Sequence, residues 1–322
     1  MSATESMPCA AAKPAHHRWI YLNGEFVEAH AAVLPVTTQA FNYGTAVFEG
    51  IRGYAHFSDG NINIFRLDEH LTRLRQSASL LLIDDLPEGQ ALKDLTLTLL
   101  QRNEVDSDCY IRPIAYKRHL LPGSGFGVKL SGVSSGLSVN SLGMRAYVKQ
   151  DGIACTISGW RRVADDAIPV RAKITGSYVN SALAMEAAQR AGYDDAIMLN
   201  NHGYVAEATT SNVFMVKNGK LITPPVTAHI LEGITRDTIM ALATSCLGLT
   251  VIERDILPSE LLTADECFLT GTGVEISPVI RIEHHQLRSM ERQSISTTLK
   301  ELYEKAARGE LKAFSHWLTS VY

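Results

Sequence analysis

Three tight turns constrain this chain more than any other feature. Asn23-Gly24, Asp59-Gly60 and Asn218-Gly219 each separate strand-like runs. Asn-Gly or Asp-Gly between such runs specifies a two-residue hairpin turn, because the turn needs positive φ at its central positions. The first hairpin reads Trp19-Ile-Tyr-Leu22, the turn, then Glu25-Phe-Val-Glu-Ala29. Further strands are expected at 110–116, 153–160, 196–199, 204–208 and 213–216. The aromatic, glycine-bearing block from Gln39 to Arg52 reads as a buried turn and strand.

Single helices fall between these runs. Leu67, Leu71, Leu74, Ala78 and Leu81 share one helical face after a start at Asp68, with Arg73, Arg75 and Gln76 off it. Others are expected at 88–101, 178–191, 235–247 and 289–308, the last three stopped by Gly192, Gly248 and Gly309. Strands interleaved with single helices, without regular βαβ alternation, give an α+β class.

At 322 residues the chain is long for one core, so two domains are expected. Residues 1–18 read as a disordered leader, 19–143 as a small N-terminal domain, 144–152 as an interdomain loop and 153–322 as a large C-terminal domain. The glycine- and serine-rich stretch 121–143 precedes that junction.

A net charge of −4 argues against nucleic-acid and anionic-membrane partners and leaves local positive charge for a small anionic ligand. The five scattered cysteines lack CxxC spacing, which fits a reducing compartment and no zinc ribbon. The histidines show no metal-ligand spacing. No apolar run reaches the ~20 residues that span a bilayer, and the first residues lack a secretory pattern. A cytoplasmic protein is expected.

The run Val170-Arg-Ala-Lys173-Ile-Thr-Gly-Ser-Tyr178 sets an amine among small and apolar neighbours. Such a setting desolvates an ammonium and favours the free amine that a nucleophile needs. Alone, a lysine belongs on the solvated surface. In Leu231-Glu-Gly-Ile-Thr-Arg-Asp237, the N–H groups near Ile234 and Thr235 would sit at the positive end of a helix. That arrangement is either an anion site or an ordinary capped helix.

Thr270-Gly-Thr-Gly273 offers free N–H donors or simply ends a strand. Arg66, between a strand and the start at Asp68, either holds a phosphate or is an exposed arginine. Glu207, flanked by alanines on a strand that reads as buried, needs a positive partner. An internal arginine or the protonated ring nitrogen of a cofactor would serve. Gly123, Gly125 and Gly127 lack the GxxxxGK[ST] pattern and read as a flexible loop. An imine-forming lysine, a buried carboxylate, a tyrosine, an arginine and helix-start donors are together what pyridoxal phosphate requires.

In Tyr43-Gly-Thr-Ala-Val-Phe-Glu-Gly-Ile-Arg52, Tyr110-Ile-Arg112-Pro113, Lys173 with Tyr178, Glu207 to Phe214, Gly233-Ile-Thr-Arg-Asp237 and Gly271-Thr-Gly-Val-Glu-Ile-Ser-Pro278, the chain resembles the fold type IV pyridoxal-phosphate enzymes. Among them it resembles the branched-chain aminotransferases, from about Trp19 to about Leu287. The resemblance implies a two-domain fold with a small α/β N-terminal domain and a larger pseudo-barrel C-terminal domain.

It also implies pyridoxal 5′-phosphate on Lys173 as the Schiff-base lysine. Glu207 would face the ring nitrogen and Tyr178 the ring hydroxyl, with Arg66, Ile234, Thr235 and Thr272 on the phosphate. Thr272 and Gly273 would take the substrate α-carboxylate, and Arg112 the distal carboxylate of glutamate. Tyr43, Phe48, Tyr110 and Tyr147 would wall the side-chain pocket, with Phe126 and Val128 on a loop reaching into a neighbouring subunit's site. A homodimer or higher homo-oligomer follows.

The implied reaction is transamination between a branched-chain L-amino acid and 2-oxoglutarate. The alternatives are a different donor (a polar, acidic or D-amino acid, or an amine), a lyase of the aminodeoxychorismate type, and a non-enzymatic phosphate-ligand binding module. One departure is Met144-Arg145 where many bacterial members have Trp-Gly. Arg145 either points into the pocket, favouring a polar or acidic substrate, or faces solvent.

Overall fold

The computed structural model describes residues 16–56, 60–119, 127–144 and 151–322. The first hairpin pairs Trp19–Leu22 with Glu25–Glu28, and its turn residues have φ of 51° at Asn23 and 109° at Gly24. Asn218-Gly219 likewise turns between Asn212–Lys217 and Lys220–Thr223. Ile51–Ala55 pairs antiparallel with Ile62–Phe65, while Asp59 of the turn between them lies outside the described residues.

Among the described residues the strands form two sheets, of eight and nine members. The first gathers the strands of the N-terminal half around Cys109–Lys117, which pairs with Ala46–Phe48, Ile51–Ala55 and Ser135–Gly143. It also takes Leu318–Ser320 from the far end of the chain, antiparallel to Ile62–Phe65. The stretch 153–322, expected to form the C-terminal domain, thus also contributes a strand to the first sheet.

The second sheet closes on itself. Neighbours run from Val205–Ala208 through Asp195–Leu199, Ile153–Ile157, Glu275–Ile282, Glu266–Gly271 and Asn212–Lys217, and so back to Val205–Ala208. The closing pair is Glu207 opposite Asn212. The fold is thus α+β with an open N-terminal sheet and a barrel-like C-terminal one.

Strand alternation distributes the cores. Along Asn212–Lys217, Val213 and Met215 join one cluster with Cys267, Leu269 and Val279. Phe214 and Val216 join another with Ile239 and Leu242 of helix Ile234–Leu247 and Leu299 of helix Ile295–Ala307. In the first half, Leu67, Leu71, Leu74 and Ala78 of helix Leu67–Leu80 pack with Leu92, Leu99 and Leu100 of helix Gly89–Arg102 against Ile51, Ile62 and Ile111. Each such fully buried side chain contributes ~1.5–3 kcal/mol.

Two expectations differ from the structure. The block after Gln39 begins with a short helix, Gln39–Tyr43, before its strands. The helix expected from 289 starts at Ile295, because Gln293 takes a φ of 67° and Ser294 caps the start by accepting from the Thr297 N–H. No helix among the described residues is long and apolar enough to cross a membrane.

Candidate active site

The strands and helix starts converge on a cavity of about 480 Å³. Phe48, Tyr110, Arg112, Lys173, Tyr178, Glu207, Ile234, Thr235, Thr272 and Gly273, all singled out in the sequence, line it together.

Lys173 is held by its backbone from two sides. Its carbonyl accepts from the Phe48 N–H at 3.0 Å and its N–H donates to Ser77 Oγ at 3.2 Å. The strand Ala46–Phe48 and the helix Leu67–Leu80 therefore fix where the side chain starts. Its ammonium donates to Tyr178 Oη at 2.8 Å and lies 5.1 Å from the centre of the Phe48 ring. The Phe48 and Tyr178 rings meet edge to face at 4.9 Å, which orients the phenol.

Glu207 sits where the pairing of Val205–Ala208 with Asp195–Leu199 shifts register, a bulge that re-aims a side chain. Its Oε2 accepts from Asn212 Nδ2 and from the Leu231 N–H, each at 3.1 Å, and its Oε1 lies 2.7 Å from Arg162 Nε. Burial raises its pKa, opposed by the Arg162 charge, the Leu231 N–H and Lys173. Of the two partners open to it on sequence grounds, the internal arginine is present.

Helix Ile234–Leu247 starts at Gly233, which has no side chain to cap it. The Ile234 and Thr235 N–H groups find no acceptor among the described residues, and both residues line the cavity. Arg73 completes this end. Its Nε and Nη2 donate to the two oxygens of Glu49 at 2.7 and 2.9 Å, and its Nη1 donates to the Glu232 carbonyl at 2.7 Å. His70 Nδ1 lies 2.8 Å from the same carboxylate, and Glu49 is 0% exposed. Burial alone would raise the Glu49 pKa, but Arg73 and His70 hold it well below the usual carboxylate range.

Two expectations are corrected. Arg66 does not line the cavity. Its Nη1 donates to Asp237, Thr238 and the Ile234 carbonyl, and its Nε to Glu69, so these groups brace the first turn of the helix. Arg73 is the arginine that lines the cavity beside this helix start. Tyr43 does not line it either; it lies on the surface, 38% exposed. Val128, expected on a loop reaching a neighbouring subunit's site, is 69% exposed. Phe126, Tyr147 and Arg145 fall outside the described residues.

Met144 does line the cavity, held by Arg52 Nη2 on its carbonyl and by its own N–H on Asp108 O, both at 3.0 Å.

Sequence reasoning passed over Arg73, Arg162 and Asn212. A usable signal existed for the first. His70, Arg73 and Ser77 repeat at helical spacing as a polar stripe beside the apolar one; Arg73 lines the cavity, Ser77 bonds the Lys173 N–H and His70 lies against Glu49. Arg162 and Asn212 carry no local pattern. Two further cavity hydroxyls, Ser211 Oγ and Thr270 Oγ1, are buried without a partner among the described residues. Buried polar atoms are ordinarily satisfied, so this wall is built for a polar ligand.

Residues 46–282 match the amino-transferase class IV family. The chain is 40% identical over 303 residues to a probable branched-chain-amino-acid aminotransferase of Aquifex aeolicus, covering 94% of this chain and 96% of that one. Its fold matches the branched-chain amino acid aminotransferase from Thermobaculum terrenum in PLP-form with a TM-score of 0.89 and 35% identity, over 96% of this chain and 99% of that one. The branched-chain aminotransferase from the thermophilic archaeon Thermoproteus uzoniensis with norvaline matches with a TM-score of 0.89 and 36% identity, over 95% of this chain and 100% of that one.

Proposed function

The chain belongs to the class IV amino-transferase family, and we infer that it is a branched-chain-amino-acid aminotransferase that uses pyridoxal 5′-phosphate. It moves the amino group of an L-amino acid (leucine, isoleucine or valine) to 2-oxoglutarate, releasing a 2-oxo acid and glutamate. The observation that carries this reading is the convergence on one cavity of Lys173 with its phenol partner, the ion-paired Glu207 and an uncapped helix start. The unpartnered Ser211 and Thr270 hydroxyls fit a ligand as polar as this cofactor.

When bound, the cofactor supplies an aldehyde and an electron-withdrawing ring. The protein's groups divide the remaining work. Lys173 would hold the cofactor, and its free amine would take the proton from the substrate Cα and return it. Tyr178 keeps the Lys173 amine in place. Glu207 would keep a proton on the ring nitrogen. Arg73, the Ile234 and Thr235 N–H groups and Thr272 would hold the phosphate.

The Thr272-Gly273 turn receives the substrate α-carboxylate. Phe48 and Tyr110 give the side chain an apolar wall. Arg112, stacked 4.5 Å over Phe48 and bonded to Tyr110 Oη, receives the distal carboxylate of glutamate. An apolar side chain and a carboxylate can therefore alternate in one pocket.

The protein acts as a homodimer in the cytoplasm. Val33, Leu34, Val36, Phe41 and Tyr43 leave apolar surface exposed in one segment, and Gln39 bonds the Lys129 carbonyl beside the exposed Val128. A second copy would cover that surface. Light scattering that returns a monomer overturns the dimer.

A substrate panel with 2-oxoglutarate tests the activity. Leucine, isoleucine and valine should lead it, and better turnover of D-amino acids or bulky primary amines overturns the assignment. Continued turnover without an oxo-acid acceptor, beyond one product per site, would indicate a lyase.

A further inference from the structure

We propose that Arg162 is a positioning residue that fixes the charge of Glu207 before any cofactor binds. The inference rests on the reading of this cavity as a pyridoxal phosphate site.

Arg162 lies just beyond strand Ile153–Ile157, and its own N–H donates to the Leu199 carbonyl at 2.9 Å, tying it to the neighbouring strand. Its side chain is 9% exposed and stands on the cavity wall. Nε approaches Glu207 Oε1 to 2.7 Å, with its N–H directed off the line of contact. The pair is therefore held by charge more than by hydrogen-bond alignment.

The other contacts of Glu207 decide which oxygen the cavity sees. A carboxylate has about four acceptor positions. Oε2 already accepts from Asn212 and Leu231. Oε1, facing Arg162, keeps an acceptor position for a donor inside the cavity. Asn212 is the residue opposite Glu207 at the closure of the sheet, so this choice of oxygen is set by the fold.

The charged groups acting on Glu207 are Arg162 and Lys173; the Asn212 amide and the Leu231 N–H are neutral. Lys173 is the group that substrate displaces, so its charge and position change during turnover. Arg162 is the partner that stays. An enclosed carboxylate without a cation takes up a proton. A protonated Glu207 would leave the ring nitrogen without its proton, and the ring would withdraw fewer electrons while the phosphate stayed bound. Arg162 prevents that state.

The test uses Arg162→Met, which removes the charge and keeps an unbranched chain, and Arg162→Lys, which keeps the charge. Apo protein is titrated with pyridoxal 5′-phosphate and followed by visible absorbance across pH. Then kcat and KM are measured with L-leucine and 2-oxoglutarate. For Arg162→Met, kcat should fall about tenfold to hundredfold while KM moves less than about threefold. The pH at which the bound chromophore changes should move upward, and Arg162→Lys should restore most of both.

Wild-type kcat and an unmoved pH profile in Arg162→Met overturn the proposal. If that variant does not fold, the double variant with Glu207→Gln, which removes both charges, decides. Its kcat should equal that of Glu207→Gln alone, and a further additive loss overturns the proposal. A wild-type protein that gives no visible chromophore with the cofactor overturns the reading of the cavity itself, and this inference with it.

Discussion

Arg73 and Glu49 meet through two parallel hydrogen bonds, Nε to Oε1 at 2.7 Å and Nη2 to Oε2 at 2.9 Å. A guanidinium pinned in this way presents its remaining edge in one orientation, which a lysine ammonium cannot reproduce. Arg73→Lys should therefore raise the Kd for pyridoxal 5′-phosphate at least about tenfold. Arg66→Lys, on the far side of the helix start, should move it less than about threefold. Titration of the two apo proteins with the cofactor checks this. The reverse ranking would return the phosphate role to Arg66.

Lys173 and Tyr178 give the second prediction. Lys173→Ala should lower turnover by about 10⁴-fold or more. The fold should survive, because only the Lys173 backbone is bonded to Phe48 and Ser77. Circular dichroism with a transamination assay separates the two effects, and a variant with normal turnover would remove Lys173 from the chemistry.

Gly50 approaches Tyr110 so closely that a Cβ there would lie 2.2 Å from Tyr110 Oη. Gly50→Ala must push the phenol aside, and with it Arg112, which donates to that oxygen. Overpacking of this kind costs ~1–3 kcal/mol. We expect KM for 2-oxoglutarate to rise more than KM for leucine, since Arg112 serves the distal carboxylate. Equal changes in both would argue against that role.

His70 gives a prediction in pH. Burial lowers its pKa from 6.5, against the pull of Glu49 and with repulsion from Arg73 and Lys173. As pH falls through 6.5 toward the lowered folded value, the unfolded chain binds a proton that the folded protein refuses, so stability is lost. The slope from this group is at most ~1.4 kcal/mol per pH unit. His70→Gln keeps a donor for Glu49 and should flatten that part of the profile. Urea unfolding at several values between roughly pH 5 and 8 measures it, and identical slopes in both proteins would refute it.

The parts of this molecule that read directly from sequence are those fixed by neighbours in the chain. Asn23-Gly24 and Asn218-Gly219 form their turns, and Gly248 ends its helix at a φ of 62°. Lys173 and Tyr178, five residues apart, meet because one local turn joins them. Arg73 escaped because its role depends on Glu49, brought to it by packing of a strand on a helix. Arg66 misled because its place before a helix resembles that of an anion ligand, while Asp237 and Thr238, far along the chain, claim its Nη1. The Arg162–Glu207 pair arises only when the second sheet closes.

The strand Leu318–Ser320 has a consequence for how the protein is made. Its partner, Ile62–Phe65, is synthesised about 250 residues earlier and stays an open sheet edge until Leu318–Ser320 arrives. On a ribosome adding roughly 5–20 residues per second, that exposure lasts about 10–50 s. An unpaired edge of this kind is a template for misassociation. Arg66 leans on the same late segment, its N–H bonded to the Trp317 carbonyl at 2.6 Å. The brace behind the helix start at Ile234 is thus completed only after Trp317 has been added, about 250 residues after Arg66, and a nascent chain cannot assemble the cavity before that.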